Sequence, residues 1–195
     1  MSWSMRIAPF ALMVLAGCDG APVVTSTSFA PRQIAVTGDD VIIAAPRGYC
    51  IDPDTTREVD DTAIVVMASC KGDNSASGVL TASVSRQNGA QISGALQGLA
   101  SHFDTPQGRA ALSRNGNPDD VAVLDAFASD ETLFLHVEDQ VDGLNGLAKD
   151  YWRAMFDLGD RIATVSVRGL DVQPMGDRAG LEKARDLAQR IKARN

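Results

Sequence analysis

The chain has 195 residues, a formal net charge of -7, 45% hydrophobic residues and 22% charged residues. This composition is typical of a globular protein and excludes wholesale disorder. The acidic balance argues against nucleic-acid binding, which normally needs a basic surface. Two histidines without a Cys/His cluster also argue against a standard zinc site.

The first 18 residues form a targeting signal. Arg6 precedes an apolar run of about ten residues, which is too short for a membrane-spanning helix of about 20 residues and matches a secretory signal peptide. The run ends in Leu15-Ala16-Gly17-Cys18, which resembles the lipobox of bacterial lipoproteins. The resemblance implies cleavage before Cys18 and acylation of that residue, and two or more acyl chains hold a protein stably on a membrane. An ordinary signal peptide with a chance cysteine is the alternative.

The lipobox sets the expected domain organisation and location. We predict a signal peptide over residues 1–17, a lipidated cysteine and flexible tether over 18–33, and a single domain over 34–195. The protein would face the periplasm of a bacterial envelope, held to the membrane by the lipid on Cys18. Asp19 resembles an inner-membrane retention signal of enteric bacteria, but the choice between the inner and the outer membrane stays open.

Cys50 and Cys70 are the two thiols left once Cys18 is acylated. Because the expected compartment is oxidising, an even pair predicts a disulfide. Each cysteine follows an apolar run, so the bridge would join the ends of two strands. A redox-active pair is the alternative, although catalytic dithiols usually lie two residues apart at the start of a helix.

The hydrophobic pattern predicts three strands, two helices, four strands and a final helix. The first helix places Leu96, Leu99 and Phe103 on one side, and Thr105 caps the second. The predicted strands are Val41–Ala45, Ala63–Cys70, Gly78–Arg86, Val121–Phe127, Thr132–Val137, Tyr151–Leu158 and Arg161–Arg168, and the final amphipathic helix is Asp177–Ala193.

Short turns between neighbouring strands indicate an antiparallel sheet. We therefore predict a single α+β domain with about six to seven strands, two helices in mid-chain and one at the C-terminus. This order of elements is similar to the fold of the photosystem II extrinsic subunit P and its relatives. A fold likeness of this kind implies no function.

The stretch Asp52-Pro53-Asp54-Thr55-Thr56 resembles the first motif of haloacid-dehalogenase-type phosphatases. The resemblance implies that Asp52 is the nucleophile and Asp54 the acid or base. Those enzymes need a parallel sheet behind the motif, and no β-α-β pattern follows here. The alternative, an Asp-Pro turn whose carboxylates accept hydrogen bonds from backbone amides, fits the surroundings better.

The same stretch continues with further acidic residues, and alternating oxygen ligands suit calcium. Asp52, Asp54 and Asp60 are the candidate ligands. The EF-hand pattern is absent, because neither the central glycine nor the final bidentate acid is in place. A solvated acidic loop is the alternative, and we predict no further metal site and no cofactor.

The two histidines are the other candidates for chemistry. Ser101, His102 and Asp104 are close in sequence, but triad members meet through the fold rather than by adjacency. We expect His102 to be exposed in the last turn of a helix. We expect His136 to lie on the less apolar, solvent-facing side of a strand.

Two further patterns bear on packing. Gly94 and Gly98 lie four residues apart, which predicts close packing of the first helix on the sheet. The doublet Tyr151-Trp152 lies on a strand, so one ring should be buried and the other at least partly exposed. An exposed ring could mark a partner surface.

Three classes of function remain. The first is a non-catalytic envelope lipoprotein that binds a partner protein or supports assembly, and we favour it because no catalytic constellation is evident. The second is a lipoprotein that binds a small ligand or an ion. The third is an envelope hydrolase built around Asp52, Asp54 or His136, which would require these residues to converge in a cleft.

Overall fold

The computed structural model describes residues 30–71, 77–86, 91–141 and 146–195. No helix in these ranges is long and apolar enough to cross a membrane. The strands are β1 (Gln33–Val36), β2 (Val41–Ala44), β3 (Tyr49–Ile51), β4 (Arg57–Val59), β5 (Thr62–Ser69), β6 (Val79–Arg86), β7 (Val121–Ser129), β8 (Thr132–Asp139), β9 (Leu147–Leu158) and β10 (Arg161–Leu170). The helices are α1 (Leu96–Phe103), α2 (Pro106–Leu112) and α3 (Asp177–Lys192).

The strands form one large antiparallel sheet and one small hairpin. The sheet runs in the order β3-β5-β6-β10-β9-β8-β7, with β4 also paired to β5, and β1 pairs with β2 separately. The predicted single α+β domain is therefore confirmed. The sequence predicted about six to seven strands, and the structure has ten in its described part. The strands β1, β3 and β4 were not predicted because each has only three or four residues, which is too short for an alternating pattern to show.

Both faces of the sheet are covered over part of their width. On the first face, α3 packs on β9 and β10, and the β1–β2 hairpin packs beside it. This face holds the larger core, with Leu187 and Ile191 of α3 fully buried. On the second face, α1 and α2 cover β7 and β8 around Leu133 and Leu135.

The disulfide between Cys50 and Cys70 is formed, with 4.9 Å between the two Cα atoms. Cys50 lies on β3, and Cys70 follows directly after β5. The two strands are antiparallel neighbours, with Cys50 opposite Ala68. The bridge thus closes the loop that contains the acidic stretch, as the sequence predicted.

Small residues do allow close packing, but at other positions than predicted. A Cβ added at Gly94 or Gly98 would meet nothing within 4 Å, so these glycines are not packing contacts. Gly180 of α3 lies instead against the indole of Trp152, and Gly108 lies against the backbone of α1. The helix α1 therefore does not approach the sheet closely at Gly94 and Gly98, and the prediction from their spacing is wrong.

A candidate ligand-binding cleft

An open cleft of about 880 Å³ lies where β8 and β9 meet the start of α3. Its lining combines apolar side chains with carboxylates. The lining residues are Leu124, Asp125, His136, Glu138, Asp150, Trp152, Pro174, Met175, Gly176, Asp177, Arg178 and Leu181. Mixed apolar walls with a few convergent polar groups are typical of ligand sites.

His136 lies at the floor of this cleft, and its predicted exposure is wrong. The residue is only 6% exposed. It lies on β8, which is flanked by β7 and β9 in the sheet. The helix α1 covers one face of β8. On the other face the stacked indole of Trp152 and the start of α3 bury His136, so alternation along β8 leaves no solvent-facing side.

The ring of His136 stacks on the indole of Trp152. The two ring centroids are 4.6 Å apart, and the planes differ by 8°. The two residues are direct cross-strand partners on β8 and β9. This stacking holds the imidazole in one orientation, with its Nε2 atom toward two carboxylates.

Asp150 and Asp177 supply those carboxylates from two different elements. The distance from His136 Nε2 to Asp150 Oδ2 is 3.4 Å, and the distance to Asp177 Oδ1 is 3.8 Å. Asp150 lies on β9, and Asp177 is the first residue of α3. The three side chains lie close enough to share one metal ion.

The cleft carries an excess of negative charge. Four carboxylates line it, those of Asp125, Glu138, Asp150 and Asp177. Among the residues that line the cleft in the described part of the chain, Arg178 alone carries a permanent positive charge. Its Nε atom is 2.9 Å from a carboxylate oxygen of Glu182, so that charge is already paired.

Two of these carboxylates lie on facing strands. Glu138 is directly opposite Asp150 in the β8–β9 register, and like charges in such a pair are destabilising. The arrangement therefore favours a cation.

Trp152 adds an unpaired hydrogen-bond donor beside the carboxylates. The side chain lines the cleft, and its Nε1 atom is buried without a hydrogen-bond partner in the described part of the chain. Tyr151 points to the opposite face and is also buried. The prediction that one ring of this doublet is exposed is wrong, because α3 covers one face of β9 and the other helical layer covers the second.

The acidic loop after β3 is used for turn formation. Asp52 Oδ1 accepts a hydrogen bond from the backbone N–H of Asp54 at 3.0 Å. The backbone carbonyl of Asp52 accepts hydrogen bonds from the hydroxyl groups of Thr55 and Thr56. This is the Asp-Pro turn that the sequence offered as the alternative to a phosphatase motif.

Asp52, Asp54 and Asp60 do not come together as a metal site. Asp60 has a φ of 53°, which is the left-handed backbone of a tight turn between β4 and β5. Among the described residues, His136, Asp150 and Asp177 are the ones whose ligand atoms approach closely enough to hold an ion.

The candidate hydrolase residues are also far apart. Asp52 follows β3, and His136 lies on β8, five strand positions away. At about 4.8 Å between strands, this separation is about 24 Å. His102 is exposed in the last turn of α1, as expected. Cys18, Asp19 and nearly all of the predicted tether lie outside the described residues.

The chain matches no protein-family model, and no curated protein is similar to it in sequence. Among solved structures it is similar to cyanobacterial PsbP (CyanoP) from Synechocystis sp. PCC 6803, with 14% identity and a TM-score of 0.45 over 92% of this chain and 96% of that chain. It is also similar to a mutant of Mog1, with 11% identity and a TM-score of 0.41 over 83% and 93% of the two chains.

A third similar structure is a Bacteroides thetaiotaomicron protein, with 8% identity and a TM-score of 0.36. That match covers 78% of this chain and 46% of the other. Function therefore has to be argued from the residues of the cleft itself.

Sequence reasoning singled out His136 and Trp152 of the cleft and missed the two carboxylates beside them. Asp150 and Asp177 are separated from His136 and from each other along the chain, and no motif links the three. A weak signal was available in the strand pattern. The hairpin of β8 and β9 places His136 beside Trp152, and therefore near Asp150 two residues earlier.

Proposed function

We propose that the protein is a bacterial envelope lipoprotein, anchored through acylated Cys18, that binds a cationic ligand in the cleft. The observation that carries the binding role is the convergence of His136, Asp150 and Asp177 from three elements. The excess of carboxylates around them supports a positively charged ligand.

The composition of the cleft supports the binding of a ligand. Apolar side chains lie in its lining together with carboxylates and an imidazole, as in many ligand sites. The apolar side chains of Leu124, Met175 and Leu181 would exclude part of the water around a bound ligand. Exclusion of water strengthens the electrostatic contacts of the ligand with the carboxylates.

The anchor is tested by fractionation. The variant Cys18→Ala should lose acylation and accumulate as the unprocessed form, because the thiol that receives the lipid is absent. Mass spectrometry of the N-terminus and partition between membrane and soluble fractions measure both effects. Normal processing and unchanged membrane partition of Cys18→Ala would contradict the lipoprotein assignment.

The cleft is tested by native mass spectrometry of the protein extracted from envelopes in mild detergent. We expect added mass from a bound ligand on the wild-type protein and its loss in Asp177→Asn. Asp54→Asn is the matched control, since Asp54 is an exposed aspartate outside the cleft. Equal ligand occupancy in all three proteins would show that the cleft is not the binding site.

A second candidate function is the binding of a partner protein through the open part of the sheet. The helices leave the second face of β5 and β6 uncovered, and Ile64 on β5 is 45% exposed. In-cell crosslinking of the lipidated protein, read by mass spectrometry, should then give one stoichiometric partner that Ile64→Lys abolishes. Val172→Lys, at an exposed position off the sheet, should leave the crosslink intact.

A further inference from the structure

We infer that the floor of the cleft is a Zn²⁺ site formed by His136 Nε2 and by one carboxylate oxygen each from Asp150 and Asp177. This inference rests on the proposed binding function and names its ligand as a divalent ion of the zinc type. One imidazole with two carboxylates is a donor set that zinc accepts, whereas calcium and magnesium prefer sites made of oxygen ligands alone.

The distances between the donor atoms fit a tetrahedral ion. Ligand atoms at about 2.0–2.2 Å from a tetrahedral zinc lie about 3.3–3.6 Å from each other. His136 Nε2 is 3.4 Å from Asp150 Oδ2 and 3.8 Å from Asp177 Oδ1, and all three atoms lie within 4.8 Å of one another. A rotation of Asp177 closes the remaining gap, because its side chain is 80% exposed and free to turn.

Direct hydrogen bonds alone account poorly for this arrangement. Charge-assisted N–H···O bonds are usually about 2.7–2.9 Å long, and both distances from the imidazole are longer. Both carboxylates also approach the same ring nitrogen, which has at most one proton to donate. A cation between the three atoms would bind the imidazole lone pair and both carboxylates at once.

Trp152 gives a second, independent indication of a ligand. The residue is 5% exposed and lines the cleft, and its Nε1–H is buried without a partner in the described part of the chain. Buried indole N–H groups usually donate a hydrogen bond. Zinc held by three protein ligands keeps a fourth position for water or an anion, and either species supplies the acceptor that this donor lacks.

The elements that carry the ligands differ in rigidity. His136 is fixed by stacking on Trp152, and Asp150 lies two residues before Trp152 on the neighbouring strand. Asp177 belongs to the first turn of α3, so it joins the site from the other side of the cleft. Bound zinc would therefore link the start of α3 to the sheet.

The test uses the full lipidated chain in detergent, purified with a tag that does not bind metal and stripped with a chelator. Zinc chloride is titrated by calorimetry, and tryptophan fluorescence is followed in parallel. Trp3 lies in the predicted signal peptide, so Trp152 is the one tryptophan of the processed chain. We expect one ion per chain and a fluorescence change with the same midpoint, because the imidazole that binds zinc stacks on this indole.

Variants of the proposed ligands and of a residue that is not a ligand test which side chains bind zinc. Asp177→Asn replaces an anionic carboxylate by a neutral amide, and His136→Ala removes the imidazole. Each should weaken zinc binding at least about 100-fold, since loss of an outer-shell partner alone costs about 10–100-fold. Asp54→Asn is the matched control, because Asp54 is an exposed aspartate outside the cleft. It should change the affinity less than about threefold. Asp177 is exposed, so its variant stays informative if His136→Ala fails to fold.

Three outcomes would overturn the zinc site: no heat of binding, equal affinity for calcium chloride, or wild-type affinity in Asp177→Asn. The binding function would survive these outcomes if native mass spectrometry still showed a ligand that Asp177→Asn removes. If that ligand were also absent, both proposals would fail together.

Discussion

Gly180 of α3 lies directly over the indole of Trp152. A Cβ built on Gly180 would be 2.6 Å from Trp152 Cδ1 and 3.3 Å from Nε1. The absence of a side chain at this position therefore sets how closely α3 approaches β9. The same indole stacks on His136 on its strand neighbour, so the packing of the helix and the geometry of the cleft depend on one ring.

This contact predicts that replacing glycine by alanine has opposite effects on the free energy of unfolding at Gly180 and at Gly98. Gly180→Ala should lower the free energy of unfolding by about 1–3 kcal/mol, because the added methyl group overpacks the contact with Trp152. Gly98→Ala in α1 should raise it by about 0.5–1 kcal/mol, because nothing lies within 4 Å of the new methyl group and alanine favours the helix. Urea unfolding followed by circular dichroism measures both values.

A loss of stability in Gly98→Ala equal to that in Gly180→Ala would show that packing on Trp152 is not the cause. The fluorescence of Trp152 provides a second measurement. It should change in Gly180→Ala, where the ring is displaced, and stay at the wild-type value in Gly98→Ala, where α1 covers the other face of the sheet.

The disulfide should contribute strongly to stability. Cys50 and Cys70 are 20 positions apart in sequence, and closing a loop of this length in the unfolded chain is worth about 3 kcal/mol. Replacing both residues by alanine should lower the free energy of unfolding by about this amount in urea. The comparison is made in chains that start after Cys18, so that no third thiol exchanges with the bridge. Unchanged stability would contradict a structural role.

The buried carboxylate of Asp139 should be essential for folding on the second face. Its Oδ2 atom is 2.8 Å from Arg168 Nη1 and 3.1 Å from Arg114 Nη2. Arg168 is nearly buried and also lies over the ring of Tyr151 at 4.1 Å. Asp139→Asn should lower the free energy of unfolding by about 3–5 kcal/mol, because it leaves a buried guanidinium without its counter-ion.

Arg114→Ala is the matched control for this prediction. Arg114 contacts the same oxygen of Asp139, but its side chain is more than half exposed. Its loss should therefore cost less than about 1 kcal/mol. Urea unfolding measures the free energy of unfolding of both variants. If Arg114→Ala and Asp139→Asn lowered it by comparable amounts, the burial of Arg168 would not be the cause of the effect.

The sequence was a good guide to long periodic elements and a poor guide to sites. The stripe of Leu187 and Ile191 correctly predicted that α3 docks on the sheet, because the helical period is a local property. The exposure of His136 was mispredicted, since alternation along a strand does not say which faces other elements cover. The approach of Asp177 to His136 and Asp150 depends on the turn that returns the chain from β10 to α3, and no local pattern encodes it.

The three residues of the proposed zinc site illustrate the same limit. Zinc motifs that can be read from a sequence place their ligands at short, fixed spacings. His136 and Asp150 meet through the register of β8 and β9, and Asp177 reaches them only after the chain has completed β10. Such a set of ligands becomes visible only once the three elements are packed together.

Both tyrosines of the chain should titrate abnormally. Burial raises the pKa of Tyr49 above 10.0, and its hydroxyl donates a hydrogen bond to the carbonyl of Ser77. Burial is also the largest cause of the raised pKa of Tyr151, and the nearby Arg153 opposes it. Since the chain has two tyrosines, the phenolate absorbance at 295 nm should show no group that ionises at the ordinary value of 10.0.

The raised pKa values also predict how stability depends on pH. The folded state holds each phenolic proton more tightly than the unfolded state, so the unfolded chain ionises first as the pH rises above 10.0. The contribution to stability is therefore complete below that pH and is lost progressively above it. Tyr49→Phe should remove part of this pH dependence, and the urea midpoint measured across the alkaline range tests it. A slope identical to that of the wild-type protein would mean that other groups, such as lysines, govern alkaline unfolding.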